Sequence, residues 1–281
     1  MAAQLGDVEL VTVDSMQVYR GMDVGTAKPS ATERAEAPHH LLDLADPSED
    51  FSVARFQAAA HEAFGAIEAR GHRALLVGGT GLYVRAVVDR LTVPGEWPDL
   101  RAELDAEAAA TGTEGLHRRL AAADPPAAAR IDPSNRRRLV RALEVTLGSG
   151  RPFSSFGPGL DVYPAARFRM AGVWLPRAVV AARIEARYER QLAAGFVEEV
   201  RALARRPLSR TARQALGYRE LLAHLDGRVS VEEAMIAAVR RTREFARRQR
   251  MWFRRDPRIT WMGAESEPFA VLPALLGNWT Q

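Results

Sequence analysis

A carboxylate, a hydroxyl and a carboxamide stand close together at Asp14, Ser15 and Gln17, directly after the run Val8-Glu9-Leu10-Val11-Thr12-Val13. That run reads as a buried parallel strand, and in open α/β sheets ligands bind beyond the carboxyl ends of the strands. The position therefore suits chemistry as well as any in the fold, although an isolated Asp-Ser pair more often just caps or turns the chain. A second candidate is Gly78-Gly79-Thr80-Gly81, which follows the apolar stretch Ala74–Val77. Glycines in such a strand-to-helix turn allow a ligand close to the backbone, and the first N–H groups of the helix favour an anion. A third is Asn135-Arg136-Arg137-Arg138. Guanidinium groups there suit phosphates and base edges, while the plainer reading is a solvated basic helix face. Finally, Arg219 lies in Ala215–Glu220, and Arg243 and Arg247 lie in a stretch from Thr242 to Arg254 that also carries Phe245, Trp252 and Phe253. Arginine interleaved with aromatics serves RNA through charge and stacking, but Trp252 and Phe253 fall near the inward face of their helix and read as core.

These residues need elements to hold them. Phe51 to Arg70 has apolar or small residues at helical spacing, with Ser52 as N-cap and Gly71 as stop. Ala74–Val77 reads as a second buried strand, followed by a helix from about Leu82 to Asp89. Strand, helix, strand, helix in this order predicts a parallel α/β sheet. Residues 94–164 change character, with short Ala-, Arg- and Glu-rich helical patterns punctuated by Pro125-Pro126 and Gly157-Pro158-Gly159, and read as a helical insertion. Arg169 to Leu175 supplies a further strand, Arg177 to Arg205 a long helical stretch, and Leu208 to Leu225 another. The last strong helix runs from the Ser230/Glu233 capping box to about Arg255. Met235, Val239, Thr242, Ala246, Gln249 and Phe253 form its inward stripe, and Arg240, Arg243, Arg247, Arg250 and Arg254 a cationic one.

The 281 residues are 47% apolar, enough for a real core. The absence of cysteine excludes disulfides, thiolate metal sites and cysteine nucleophiles. No apolar run approaches the ~20 residues that span a bilayer, and the start lacks a secretory pattern, so the expectation is a cytoplasmic protein without a membrane. The net charge of +4 is unevenly spread: residues 201–260 hold sixteen Arg against six acidic residues, which suggests a docked polyanion. Lys28 is the only lysine among 39 basic residues. Pro38-His39-His40 has no carboxylate at ligand spacing and reads as structural.

Taken as longer strings, DSMQVYRGMDVGTAKP from Asp14, LLVGGTGLYVRA from Leu75, NRRRLVRALEV from Asn135, ALGYRE from Ala215 and TREFARRQRMWFR from Thr242 resemble signatures of the tRNA dimethylallyltransferases, the IPP transferase family. In the last string Arg250-Met251 replaces the commoner Leu-Thr pair. The resemblance implies an α/β fold with a P-loop-NTPase-like parallel-sheet core over 1–93 and 165–281, and a helical insertion over 94–164 that contacts the tRNA anticodon stem-loop. It implies transfer of a dimethylallyl group from dimethylallyl diphosphate to N6 of adenine 37 in tRNA by a monomeric, nucleotide-binding enzyme. Asp14 is implied as general base, and Thr80 and Arg187 as the catalytic groups at the diphosphate. The implied tRNA contacts are Asp14, Ser15, Met16, Gln17, Thr80, Asn135, Arg136, Arg137, Arg138, Arg219, Arg243 and Arg247, and the implied cofactor is Mg²⁺.

One family motif, the P-loop G-P-T-x-x-G-K-(S/T), does not occur in the 281 residues. Its backbone donors, lysine and Mg²⁺-binding hydroxyl are thus absent from this sequence, as is the strand that leads into it. The expectation is a chain that begins inside the family fold, with Met1–Gly6 as a helix tail, with apolar strand surface exposed, and with little or no activity of its own. Two other functions fit parts of the pattern: an adenylate isopentenyltransferase and a non-catalytic tRNA-binding remnant. The arginine motif, the insertion and the basic final helix favour macromolecular RNA over a free nucleotide.

Overall fold

The apolar run near the start forms β1 (Val8–Val13), the middle strand of a three-stranded parallel sheet. β2 (His39–His40) lies on one side, with Leu10 opposite His39. β3 (Arg73–Gly78) lies on the other, in register from Val8 opposite Arg73 to Val13 opposite Gly78. Parallel neighbours need crossovers, supplied by α1 (Ala31–Glu36) before β2 and α2 (Val53–Ala69) before β3. Ser52 caps α2 by accepting from the Arg55 N–H, and the helix buries Phe56, Ala60, Phe64 and Ile67. α3 (Gly81–Val88) leaves the end of β3. The computed structural model describes residues 5–157 and 159–280, so most of the helix tail expected over Met1–Gly6 lies outside the described residues.

Beyond residue 165 the fold departs from the sequence reading in two places. β4 (Met170–Trp174) pairs in parallel with β5 (Ile259–Gly263), a strand not anticipated, and does not join the first sheet. The expected single sheet is therefore two sheets among the described residues. Apolar strand residues are exposed at Val77, Val173 and Trp174. Secondly, the two long helical stretches are each broken. Gly195 at φ +89° separates α8 (Arg177–Ala193) from α9 (Phe196–Leu203), and Gly217 at φ +83° precedes α11 (Tyr218–Leu225), with the short α10 (Arg210–Arg213) before it. A left-handed backbone ends a helix at little cost only at glycine, and helical periodicity continues across such breaks without marking them. α12 (Val231–Phe253) begins at the Ser230/Glu233 capping box, and α13 (Leu272–Thr280) ends the chain. Val11, Val13, Tyr19, Phe56, Phe196, Tyr218 and Leu221 belong to one continuous core.

Residues Arg90–Pro164 form a separate compact unit. α4 (Pro98–Thr111), α5 (Glu114–Ala123), α6 (Pro125–Arg130) and α7 (Arg136–Ser149) enclose Leu104, Leu116, Leu120, Leu139 and Leu143. The buried Glu144 carboxylate accepts from the Trp97 N–H at 2.8 Å and from the Arg101 guanidinium at 2.8 and 3.1 Å, and pairs with Arg141 at 3.0 Å. The charge is buried but fully partnered.

The glutamate inside β1 is a second such case, and periodicity alone missed it. Glu9 is 2% exposed and takes Arg70 at 2.7 and 2.8 Å, His40 at 2.6 Å and His72 at 2.8 Å. The His39-His40 segment is thus structural, but His40 does have a carboxylate partner, 31 residues away in sequence. The Arg70 hydrogen bonds, outweighing the opposing cost of burial, hold the Glu9 carboxyl down at about 2 from an ordinary 4.5. A depressed carboxyl pKa stabilises the fold above the unfolded value and ceases to do so as pH falls through the folded one. We therefore expect Glu9→Gln to cost roughly 1–3 kcal/mol at pH 7, measured by urea unfolding, and to remove part of the stability that the wild type loses between about pH 4.5 and pH 2.

Candidate active site

β1 and β3 end level with each other, and their last residues are followed by the two candidate turns. Asp14 leaves β1, and its Oδ1 accepts the Met16 N–H at 2.8 Å and the Gln17 N–H at 3.3 Å. This Asx turn engages one carboxylate oxygen and leaves Oδ2 for another partner. The Ser15 N–H donates to Thr80 Oγ1 at 3.1 Å, and the Thr80 and Ser15 hydroxyls lie 3.4 Å apart. Thr80 is the N-cap residue of α3 but makes no side-chain cap hydrogen bond; its oxygen faces Ser15 instead. Asp14, Ser15 and Thr80 are thus brought together from positions 65 residues apart.

The glycines of the second turn admit neighbouring parts of the protein itself. A Cβ at Gly78 would lie 2.1 Å from the Val13 carbonyl oxygen, one at Gly79 1.9 Å from Gln249 Nε2, and one at Gly81 2.3 Å from Trp252 Nε1. The close approaches are to β1 and to α12. Gln249 Nε2 donates to the Gly79 carbonyl at 2.9 Å. Gln249 and Trp252 therefore seat the turn, a role that the place of Gln249 on the inward stripe, with Trp252 beside it, allowed but did not reveal.

The rest of the Asp14–Pro29 segment is gripped from several sides. Gln17 Nε2 donates to the Thr26 and Ala27 carbonyls at 3.1 and 3.2 Å. Glu199 accepts three consecutive backbone N–H groups, from Asp23, Val24 and Gly25, at 2.7–3.1 Å, and the Tyr218 hydroxyl at 2.6 Å. Burial, with the neighbouring Glu199 carboxylate, pushes the Tyr218 phenol far above its ordinary value, so it stays a donor. Gln191 Nε2 donates to the Val24 and Gly25 carbonyls at 2.7 and 3.0 Å, and Arg187 Nη2 reaches the Gly25 carbonyl at 3.5 Å. Lys28 is buried, with its ammonium on the Tyr19 carbonyl at 2.8 Å and on Asp23 and Asp43 at 2.5 and 2.6 Å. Arg187 is thereby connected to the Asp14 segment through Gly25, one turn of α8 before Gln191. No local pattern marks Glu199 or Gln191, because the backbone groups they hold lie more than 160 residues away.

The remaining cations are less uniform than their sequence suggests. Arg136 is engaged by the Asp105 carboxylate at 3.0 and 3.1 Å, and Asn135 Oδ1 caps α7 by accepting from the Arg138 N–H at 3.2 Å. Arg137 and Arg138 are exposed. These residues belong to the Arg90–Pro164 unit, whereas Asp14, Thr80 and Arg187 belong to the other. Arg219 and Arg247 are exposed; Arg243 is exposed but pairs with Glu185, and Arg250 stacks 4.8 Å over the Trp174 ring. Among the described residues no group of three or more His, Asp or Glu could hold a metal ion, and no helix is long and apolar enough to cross a membrane.

The chain is similar to known proteins in sequence and in fold. The profile of the IPP transferase family matches residues 17–256. A tRNA dimethylallyltransferase of Kineococcus radiotolerans is 52% identical over 258 residues, covering 91% of this chain and 81% of the relative. One of Geobacter metallireducens is 46% identical over 281 residues, covering 99% and 91%. The crystal structure of a tRNA isopentenylpyrophosphate transferase from Bacillus halodurans superposes with a TM-score of 0.69 at 38% identity, covering all of this chain and 89% of that one.

Because Trp252 fills the space beside Gly81, Gly81→Ala should destabilise the protein by about 1–3 kcal/mol through overpacking. Gly115, inside α5 with nothing within 4 Å of a built Cβ, is the control: Gly115→Ala should be neutral or stabilising by up to about 1 kcal/mol. Thermal unfolding of both variants checks the contrast.

Proposed function

The chain belongs to the IPP transferase family, and we propose that it transfers a dimethylallyl group from dimethylallyl diphosphate to N6 of adenine 37 in tRNA, giving N6-isopentenyladenosine. The observation that carries the reading is the meeting of Asp14, Ser15 and Thr80 at the ends of β1 and β3. In this reaction the bond between the allylic carbon and the diphosphate oxygen breaks, its electron pair stays with diphosphate, and N6 forms the new bond to carbon. The exocyclic amine is a poor nucleophile until its proton has somewhere to go. Asp14 Oδ2 supplies that acceptor, while Met16 and Gln17 N–H hold Oδ1 and fix the carboxylate plane.

Thr80 and Arg187 serve the other end of the reaction, where negative charge grows on the leaving diphosphate. The uncapped start of α3 adds first-turn N–H groups to the Thr80 hydroxyl. The Mg²⁺ that the family resemblance implies meets no group of three or more His, Asp or Glu ligands among the described residues. For the amine to reach Asp14 the adenine must leave its stack, and the segment Asp14, Ser15, Met16 and Gln17 is the proposed seat of the extruded base. Arg219, Arg243, Arg247, Asn135 and the run Arg136 to Arg138 are proposed to hold the anticodon stem-loop, the last four from the insertion. Free tRNA as substrate places the enzyme in the cytoplasm, acting as a monomer.

Two outcomes test the reading. With a family P-loop segment joined ahead of this sequence, Asp14→Asn should lower single-turnover transfer by about 10²–10⁴-fold with tRNA affinity nearly unchanged, and a variant that transfers at the rate of its Asp14 parent would remove Asp14 from the chemistry. Replacing Arg137 and Arg138 by Ala should reduce the magnitude of the log–log salt slope of tRNA binding by roughly 1–2. Arg136→Ala should change it less, because Asp105 already neutralises that guanidinium.

A further inference from the structure

Thr80 depends on a turn with few bonds of its own. Its N–H reaches the Val13 carbonyl at a long 3.4 Å, and its hydroxyl does not cap α3. The carbonyl just before it, that of Gly79, is fixed by a side chain from another element, Gln249 of α12, at 2.9 Å. One helical turn on, the Trp252 indole presses on Gly81. The far end of α3 is tied to the chain beyond α12 as well: Asp89, itself paired with Arg85, accepts from Arg258 Nη1 at 2.6 Å, and Arg258 is bound in turn by Asp256. α3 is therefore held at both ends by α12 and the turn that follows it, and at the catalytic end the Gln249 amide of α12 binds the Gly79 carbonyl.

We propose that Gln249 is a positioning residue for transfer: by holding the Gly79 carbonyl it fixes the Gly79–Thr80 peptide, and with it the direction of Thr80 Oγ1 toward Ser15 and the leaving diphosphate. The inference rests on the reading of Thr80 given above. Without the amide the peptide is free to rotate, and displacements of about 1 Å at a reacting centre can cost ~10²-fold in rate. Gln249 does not touch substrate in this account, so its effect passes through Thr80.

That dependence gives the test. Gln249→Met keeps the length and volume of the side chain without its donor. In the chain with the P-loop segment joined ahead, it should lower single-turnover transfer by about 10–100-fold while tRNA affinity stays within about twofold. In a Thr80→Val background the same substitution should cost less than about twofold more, because residues acting through one group are not additive. Hydrogen exchange provides a second readout: the Ser15 amide should lose protection in Gln249→Met while α2 keeps its own. Equal losses from Gln249→Met in both backgrounds, no loss in either, or loss of protection throughout the unit would overturn the proposal. Thr80→Val transferring at the wild-type rate would instead overturn the reading of Thr80, and the inference with it.

Discussion

The hydrogen bond from the Ser15 N–H to Thr80 Oγ1 is where the architecture and the chemistry meet. It exists because β1 and β3 run parallel in a register that sets Val13 opposite Gly78, so that both chains turn at the same height. A slip of one residue would send alternate side chains to the wrong face and separate Asp14 from Thr80. Gly78 enforces the register in turn, since only a residue without a Cβ fits against the Val13 carbonyl.

Around that junction the molecule repeatedly uses a charged or amide side chain to hold backbone. Glu9 fastens the opposite end of β1 to Arg70, His40 and His72; Glu199 and Gln191 hold residues 23–25; Lys28 closes the same loop onto Tyr19, Asp23 and Asp43. Buried charges of this kind add little net stability when fully partnered, yet leaving one of them without its partner is costly. Their effect is to restrict the loop to one conformation. The general base proposed at Asp14, with one carboxylate oxygen engaged and one open, would require such restriction, because a base must meet its proton at hydrogen-bond distance.

The elements with a regular apolar pattern were legible in the sequence, although β3, read as a buried strand, has no buried residue. β1, α2, β3 and α12 all show the expected spacing, and Ser52 and Ser230 cap their helices. The family signatures located Asp14 and Thr80, and the transferase family they pointed to is the one to which the chain belongs. What stayed hidden depends on distant partners. β2 is two histidines long and exists only as an edge to β1; β5 is defined by its pairing with β4; the helix breaks at Gly195 and Gly217 rest on single left-handed residues. Gln249, Glu199 and Gln191 acquire their roles from backbone groups far along the chain, and local pattern holds no record of them. The glycine turn was located correctly, but its close contacts are with Val13, Gln249 and Trp252.

The most direct measurement is a crystal structure of the protein with a tRNA anticodon stem-loop. The account predicts adenine 37 extruded from its stack, with N6 about 2.6–3.2 Å from Asp14 Oδ2 and the Ser15–Thr80 hydrogen bond intact. An adenine that remains stacked in the loop, or that lies in the protein with N6 facing away from Asp14, would contradict it.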